Sequence, residues 1–362
     1  MYKAFVFRIY PNREQATLFA KTFGCVRFIY NTMLGDMIAH YEAYGTKLKT
    51  WPAKYKEKFP WLKEVDGSAL GYAYLNLLTA FNNFFAGRCN YPKFKSKHKD
   101  RDSYTTYLRN GNIKLNGDTI TLPKTGAVKI VMHREIPAGY KPKSCTVSRS
   151  REGKYYVSIL FEYDEVIVDK KVNTAIGLDF AMKSLYVDNE GNSADYPRFY
   201  RMSEKQLAKA QRRLSKCKIG GKNYRKQRIK VAKRHAKTAN QRKDFLHKES
   251  RRITNAYDVV FIEDLDMQRM GRGLRLGKSV HDVGWGMFTR FLGYKLAAQG
   301  KKLVKVGQLF PSSKMCSKCG NVKDKLLLSE RTYTCCECGN VMDRDENAAI
   351  NIKREGLRIL DQ

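Results

Sequence analysis

The stretch "AIGLDFAMKSLYVDNEG", residues 175–191, decides how the chain is read. Two short apolar runs flank a turn, the pattern of two neighbouring strands. Gly177 lets another segment pass close by, and the first strand presents Asp179 from its middle. An acid placed there needs a reason. The 362 residues hold 69 Lys+Arg against 35 Asp+Glu, a formal charge of +34, so the few acids are expected to be placed deliberately.

Two further acids stand in similar contexts. "YDVVFIEDL" (257–265) is a nearly continuous apolar run ending in Glu263 and Asp264, and "DRDENAAINI" (343–352) opens a small-residue helix with Asp345 in its first turn. Asp on a first strand, Glu on a later strand and Asp on a final helix is the RNase H-like order of polynucleotide cutting. Carboxylates are hard ligands suited to Mg²⁺, and two such ions ~4 Å apart activate a water and stabilise a leaving oxygen. Taken singly, each acid has a plainer role. Asp343 or Asp345 fits a helix N-cap, with Glu346 at capping-box spacing from Asp343. Glu263 and Asp264 fit a solvent-facing strand end, and Asp179 a turn. Together they favour a metal-binding triad of Asp179, Glu263 and Asp345, with Asp343, Asp264 and Asp188 as caps or supporting groups.

Five of nine cysteines crowd into residues 316–338. Cys316-x-x-Cys319 and Cys335-x-x-Cys338 lie 15 residues apart, and Gly320 and Gly339 follow the two pairs. That spacing fits a structural four-thiolate zinc site, with all positions filled and none open for a hydrolytic water. Cys336 is spare, wrongly spaced from Cys338 for the same turn.

Charge points to the partner. The basic residues run along most of the chain, with twenty Lys/Arg and three acids in residues 201–252, as expected of a surface that follows a nucleic acid. No stretch approaches the ~18–20 apolar residues of a membrane span. The N-terminus meets Pro11 and charges too early for a signal peptide, so a cytoplasmic protein is expected, associated with the nucleoid when bound to DNA. Candidate nucleic-acid contacts are Tyr91, Lys93, Phe94, Lys95 and Lys97 in "YPKFKSK", and Arg212, Arg213, Arg225, Lys226 and Arg228 in the basic helical pair. Most other aromatics, Trp51, Tyr55, Trp61 and Tyr104 among them, are expected to pack in cores. His281 with Asp282 reads as a packed loop.

Along the chain, a first strand (1–11) precedes a helical segment (12–97) in which Leu75, Leu78, Phe81 and Phe85 form one stripe. Residues 46–65, punctuated by Pro52 and Pro60, read as loop or short turns. Residues 91–106 read as a basic-aromatic linker. A strand-rich stretch follows (98–170), with hairpin turns at Asn116-Gly117 and Glu152-Gly153. A second domain spans 171–307, the cysteine segment 308–342 and a last helix 343–362. The fold class is α+β, multidomain.

The motifs "GLDFAMKSLYVDNEG", "FIEDL", "CSKCG…CCECG" and "DRDENAAINI", with "LFAKTFGCVRFIYN", "YPKFKSK" and "YKLAAQGKKLVKV", resemble the TnpB proteins of bacterial transposons, relatives of the type V CRISPR nucleases. The resemblance covers nearly the whole chain. It implies a wedge β-barrel interrupted by a helical recognition domain, then an RNase H-like (RuvC) α/β nuclease domain with an inserted zinc ribbon. It implies an RNA-guided DNA endonuclease that binds a transposon-derived guide RNA, recognises a short target-adjacent motif and cuts target double-stranded DNA. Asp179, Glu263 and Asp345 match the family's Mg²⁺-binding triad, and Cys316, Cys319, Cys335 and Cys338 its zinc ligands. The alternatives are a guided repressor that does not cut, and a protein-only resolvase or transposase of RNase H-like fold.

Overall fold

The computed structural model describes residues 1–164, 167–273, 277–327 and 329–362, without the side chains of 272, 273, 278, 279 and 281. Two compact units result, Met1–Glu165 and Val166–Gln362. No helix among the described residues is long and apolar enough to cross a membrane.

The first unit opens with strand β1 (Tyr2–Tyr10) and the long helix α1 (Arg13–Tyr44). Asn12 and Gln15 form a reciprocal capping box at the start of α1, and Gly45 ends it in the left-handed conformation. Its buried residues Phe19, Phe23, Val26, Ile29, Tyr30, Met33 and Leu34 recur every three or four positions, which is one helical face. Helix α2 (Pro52–Lys58) and a 3₁₀ turn (Pro60–Glu64) follow, then α3 (Gly67–Phe85). Pro52 and Pro60, read from sequence as breaks, each start a helical turn, where the missing N–H costs nothing.

The stripe expected on α3 is corrected. Leu75 is 41% exposed and Phe85 63%, whereas Ala69, Leu70, Ala73 and Leu77 are buried. Small alanines line the side on which α3 approaches α1 and the next strand. That strand, β2 (Asp102–Tyr107), begins inside the stretch expected to be linker. It is held by β6, and its Asp102 accepts from Arg149 Nη2 at 2.6 Å.

Strands β3 (Lys114–Asn116), β4 (Thr119–Leu122), β5 (Gly126–Val131), β6 (Lys141–Arg149) and β7 (Tyr155–Glu162) complete a seven-stranded antiparallel sheet in the order β2-β6-β7-β1-β5-β4-β3. The two expected hairpin turns join β3 to β4 and β6 to β7. Among the described residues β2 and β3 form its two edges, so the expected barrel is met as a sheet and not as a closed cylinder.

The second unit contains β8 (Ala175–Ala181), β9 (Leu185–Asp188), α4 (Phe199–Ser215), α5 (Lys222–Ala256), β10 (Val259–Glu263), α6 (Met267–Gly273), α7 (Gly277–Val283), α8 (Trp285–Ala297), β11 (Lys302–Val306), the short pair β12 (Thr332–Thr334) and β13 (Val341–Asp343), and α9 (Arg344–Leu360). The main sheet has the order β11-β10-β8-β9, with β8, β10 and β11 parallel and β9 antiparallel to β8. One face packs on α5 and α8 through Leu246, Ile253, Trp285, Phe288 and Leu292. The other packs on α9 through Val259, Phe261, Val306 and Ile352. Burial on both faces explains why "VVFI" of β10 has no polar alternation. Asp282 is buried and accepts from Arg242 Nη2 at 2.9 Å and Tyr200 N at 3.1 Å. The expected packing holds for Asp282, but on helix α7 and not in a loop; the side chain of His281 lies outside the described residues.

Candidate active site and cysteine cluster

Strand register brings the acids to one face. Gly177 of β8 pairs with Phe261 of β10, and Leu178 with Ile262. Alternate residues of a strand share a face, so Gly177 and Asp179 lie on the same side of the sheet as Phe261 and Glu263. Helix α9 covers that side very closely. A Cβ on Gly177 would lie 2.4 Å from the Ala349 carbonyl oxygen, and one on Gly356 would lie 2.0 Å from the Phe261 ring. From Gly177, Asp179 is about 6.8 Å further along the strand. From Ala349, Asp345 is about 6 Å back along the helix. Asp345 lies near enough to Asp179 for its negative charge to act on that carboxyl.

Electrostatics agree with this placement. The Asp179 carboxyl is held well above the usual carboxylate range, first by burial and then by the negative charges of Glu263 and Asp345; Arg344 opposes the shift. Burial also raises Glu263, against a hydrogen bond donated by the Ser312 hydroxyl. Arg344 donates to Asp345 Oδ1 through Nε at 3.1 Å and Nη2 at 2.9 Å, and Arg331 Nη1 lies 3.7 Å from Oδ2. Asp343 caps α9, accepting from the N–H groups of Asp345 and Glu346. Asp188 accepts from the N–H groups of Glu190 and Asn192 in the turn after β9, and Asp264 pairs with Lys305 at 2.7 Å.

The four cysteines form a tighter group. Their sulfurs all lie within 4.8 Å of one another, and among the described residues this is the one such group of three or more candidate ligands. The carboxylates are spread wider, with Ser312 holding one and the arginines another. Cys316 Sγ is 3.7 Å from Cys338 Sγ, and Cys319 Sγ is 3.6 Å from Cys335 Sγ. A tetrahedral ion with Zn–S bonds of ~2.3 Å has S···S edges of about 3.8 Å, so the donor set fits zinc.

The two knuckles are alike. Cys316 N donates to Asn321 O and Cys335 N to Asn340 O, both at 2.8 Å, and Gly320 and Gly339 take positive φ. Backbone N–H groups of Cys338 and Glu337 lower the Cys335 thiol to about 6. At Cys316 burial opposes the same effect, but the N–H groups of Cys319 and Lys318 outweigh it. Cys336 stays outside the group and accepts from Asn321 Nδ2.

Buried asparagines tie this lobe to α9. Asn347 Oδ1 accepts from Ser317 N at 2.9 Å, and its Nδ2 donates to Met315 O at 2.7 Å. Asn351 Nδ2 donates to Ser312 O at 2.9 Å and to Met315 O at 2.7 Å. Since the Ser312 hydroxyl grips Glu263, one loop connects the cysteines, α9 and the middle acid. Sequence reasoning missed Ser312, Arg331, Arg344, Asn347 and Asn351. Only the asparagines carry a signal, because two amides four apart among the small and apolar residues of "NAAINI" share one helix face.

The nucleic-acid candidates fall into two groups. Tyr91, Lys93, Phe94 and Lys97 are exposed, and the Tyr91 ring also packs edge-on against Phe81 and Phe84. Lys95 differs: its ammonium sits 3.8 Å from the centre of the Tyr30 ring, and its backbone bonds to Asn31. Arg212, Arg213, Arg225, Lys226 and Arg228 are all exposed near the α4–α5 turn. Of the other aromatics, Tyr55 and Tyr104 are buried as expected, while Trp51 is 57% and Trp61 41% exposed.

The fold is that of a Cas12f-like α+β protein with a curled sheet and a four-cysteine cluster. Its backbone matches the cryo-EM structure of a Cas12f1–sgRNA–target DNA complex with a TM-score of 0.61 at 14% identity, over 98% of each chain. It matches the mini-RNA-guided endonuclease Cas_phi3 with a TM-score of 0.50 at 8% identity, over 99% of this chain and 92% of that one. Residues 158–272 match the family "Probable transposase" (OrfB of IS605), residues 285–352 the "Cas12f1-like, TNB domain", and residues 1–46 a "Helix-turn-helix domain". In the structure that last segment is strand β1 and the single helix α1.

A Streptomyces pristinaespiralis protein named "Putative RNA-guided DNA endonuclease" is 39% identical over 98% of this chain and 89% of its own length. Escherichia coli K12 InsQ, of the same printed name, is 29% identical over 99% of this chain and 93% of its own length. The chain belongs to this TnpB family of transposon-associated proteins.

Proposed function

We propose that this chain is an RNA-guided DNA endonuclease that cuts with Asp179, Glu263 and Asp345. The reading is carried by the electrostatic coupling of these carboxylates, drawn from three distant segments to one sheet face in a chain of net charge +34. The donor set fits hard divalent cations: oxygen ligands only, with Asp179 destabilised as an anion by its neighbours. Asp179, Glu263 and Asp345 would hold two Mg²⁺ ions, which would supply an activated water and stabilise the leaving oxygen. Asp179 and Glu263 fix one wall of the site from adjacent strands, and Asp345 enters from α9. Arg344 and Arg331 offset the negative charge beside Asp345 and are placed to meet a phosphate. Ser312 orients Glu263.

The finer architecture belongs to the same proposal. Residues 1–11 and 98–170 act as the wedge domain, 12–97 as the recognition domain, and 171–307 with 343–362 as the RuvC-type nuclease. Residues 308–342 act as a zinc-held ribbon that loads target. Guide RNA and target DNA follow the basic surfaces, including the exposed side chains of residues 91–97 and the α4–α5 turn. The protein works in the cytoplasm, on DNA. Asp179→Ala tests the reading. The variant should lose plasmid cutting with guide RNA and Mg²⁺ while keeping guide-dependent DNA binding. Cutting at the parental rate would refute the triad, and specific cutting by RNA-free protein would favour a resolvase.

A further inference from the structure

The helical pair α4–α5 holds a groove of 610 Å³ lined by Lys209 and Arg213 from α4 and Lys230, Lys233 and Arg234 from α5, with Gln206, Ala210 and Gln227. No carboxylate lines it. The three acids of residues 201–252 are committed elsewhere: Glu204 to Arg201 at 3.4 Å, Asp244 to Lys248 at 2.7 Å and Glu249 to Arg252 at 2.7 Å. Five cations therefore face one groove with no neutralising partner from this segment, and their mutual repulsion opposes closure of the two helices. Two hydrogen bonds between the helices tie the walls together at a fixed spacing against that repulsion. Arg234 Nη1 donates to Gln206 Oε1 at 2.6 Å, and Gln227 Nε2 donates to the Ala210 carbonyl at 3.0 Å.

We infer that this groove is a binding site for the phosphodiester backbone of a nucleic-acid strand. Lys209 and Arg213 are four apart on one helix, and Lys230 and Arg234 four apart on the other, so each wall presents a ladder of cations with Cβ spacing of about 5–6 Å. A strand of regularly repeated phosphates meets such ladders along its length. No aromatic lines the groove to stack a base, so it reads charge and shape and not sequence. The inference deepens the reading of the helical pair as a nucleic-acid contact and does not depend on the cutting centre. Of the candidates read from sequence in this pair, Arg212, Arg213, Arg225, Lys226 and Arg228, the groove includes Arg213 and adds Lys209, Lys230, Lys233 and Arg234.

The test compares two charge-matched variants of the full chain. One carries Lys209→Gln, Lys230→Gln and Lys233→Gln in the groove. The other carries Arg212→Gln, Arg225→Gln and Lys226→Gln near the turn. Binding is measured from 0.05 to 0.5 M salt with a fluorescent single-stranded RNA and with a DNA of the same sequence, after circular dichroism has verified folding. Three phosphate contacts at about 0.7 ions each make the groove variant's log–log salt slope shallower by about 2, a loss of about a hundredfold at 0.1 M salt. The turn variant should lose distinctly less, and Lys→Arg at the three groove positions should restore binding. A larger loss for RNA assigns the groove to the guide, a larger loss for DNA assigns it to the target strand, and equal losses assign it to either strand by backbone alone. An unchanged salt slope, or equal losses in the two variants, overturns the inference. Loss of cutting has no part in this readout, so failure of the nuclease proposal leaves it standing.

Discussion

Gly177→Ala is the sharpest probe of how α9 and the sheet build the candidate active site. The added Cβ would sit 2.4 Å from the Ala349 carbonyl oxygen and 2.8 Å from Lys353 N, where ordinary contact begins at 3.4 Å. Both are backbone atoms of a helix, so no side chain can swing away, and α9 must withdraw by about 1 Å. Overpacking of this kind costs about 1–3 kcal/mol, offset by about 0.5–1 kcal/mol because alanine suits a strand better than glycine. For a unit the size of Val166–Gln362 a net loss of 1–2 kcal/mol lowers Tm by about 2–8 °C. The effect on rate is larger. Asp345 rides on α9 while Asp179 and Glu263 stay on the sheet, and a 1 Å misplacement of a catalytic group can cost ~100-fold. Single-turnover cutting of a guide-matched plasmid should therefore fall about a hundredfold while guide-RNA affinity is unchanged. Parental cutting together with a parental Tm would refute the close packing of α9 on β8 and the geometry built on it.

Asn351→Ala leaves the Ser312 carbonyl without its donor, at about 1–3 kcal/mol for a buried group left unpaired, and leaves Met315 O with Asn347 alone. Zinc content by mass spectrometry should stay near parental while cutting slows, because the thiolates are untouched and the loop holding Ser312 against Glu263 is not. Asp258 gives a pH signature. Burial works against its charge, but the N–H groups of Asn173 and Thr174, the Thr174 hydroxyl and Lys170 outweigh it and bring the carboxyl down to about 2. A depressed folded value contributes stability above the ordinary carboxylate value and loses it as pH falls toward 2. Asp258→Asn should therefore lower Tm at pH 7, and its deficit should shrink between pH 4 and pH 2; a deficit constant with pH would exclude the linkage.

The sequence exposed the second unit more fully than the first, for physical reasons. Parallel strands buried on both faces appear as short apolar runs, so "AIGLDF" and "VVFIE" stand out, while the edge strand "KLVKV" keeps its lysines exposed. Acids at their ends are conspicuous in so basic a chain. Paired cysteines declare their spacing outright. The first unit hides more. β2 ("DSYTTY") is polar and threonine-rich, and it becomes a strand through its ladder with β6 and the Asp102–Arg149 pair, contacts 37 to 47 residues away. The buried face of α3 is written in alanines, and a search for large apolar residues selects Leu75 and Phe85, which face solvent. Lys95 looked like a nucleic-acid contact because lysines surround it, yet Tyr30, 65 residues earlier, takes up its charge. Ser312 and Arg331 carry no local pattern at all; only the folded loop gives them a role.

Helix α9 explains why so many small and polar residues sit in a buried segment. Ala348, Ala349 and Gly356 let it lie against β8 and β10 at contact distances that larger side chains forbid. Asn347 and Asn351, fully enclosed, would be costly had they no partners; both amide atoms of Asn347 and the Nδ2 of Asn351 bond to the loop bearing the first cysteine pair, while Asn351 Oδ1 has no partner among the described residues. The same helix begins at an Asp343 cap and carries Asp345 in its first turn, where the N-terminal end of the helix dipole favours a carboxylate. A rigid helix thus transmits any displacement of the cysteine lobe to Asp345, and through Ser312 to Glu263. The cysteines and carboxylates that adjoin in sequence are parts of one connection, with the cysteine cluster beside the loop and the loop bonded to α9 and Glu263.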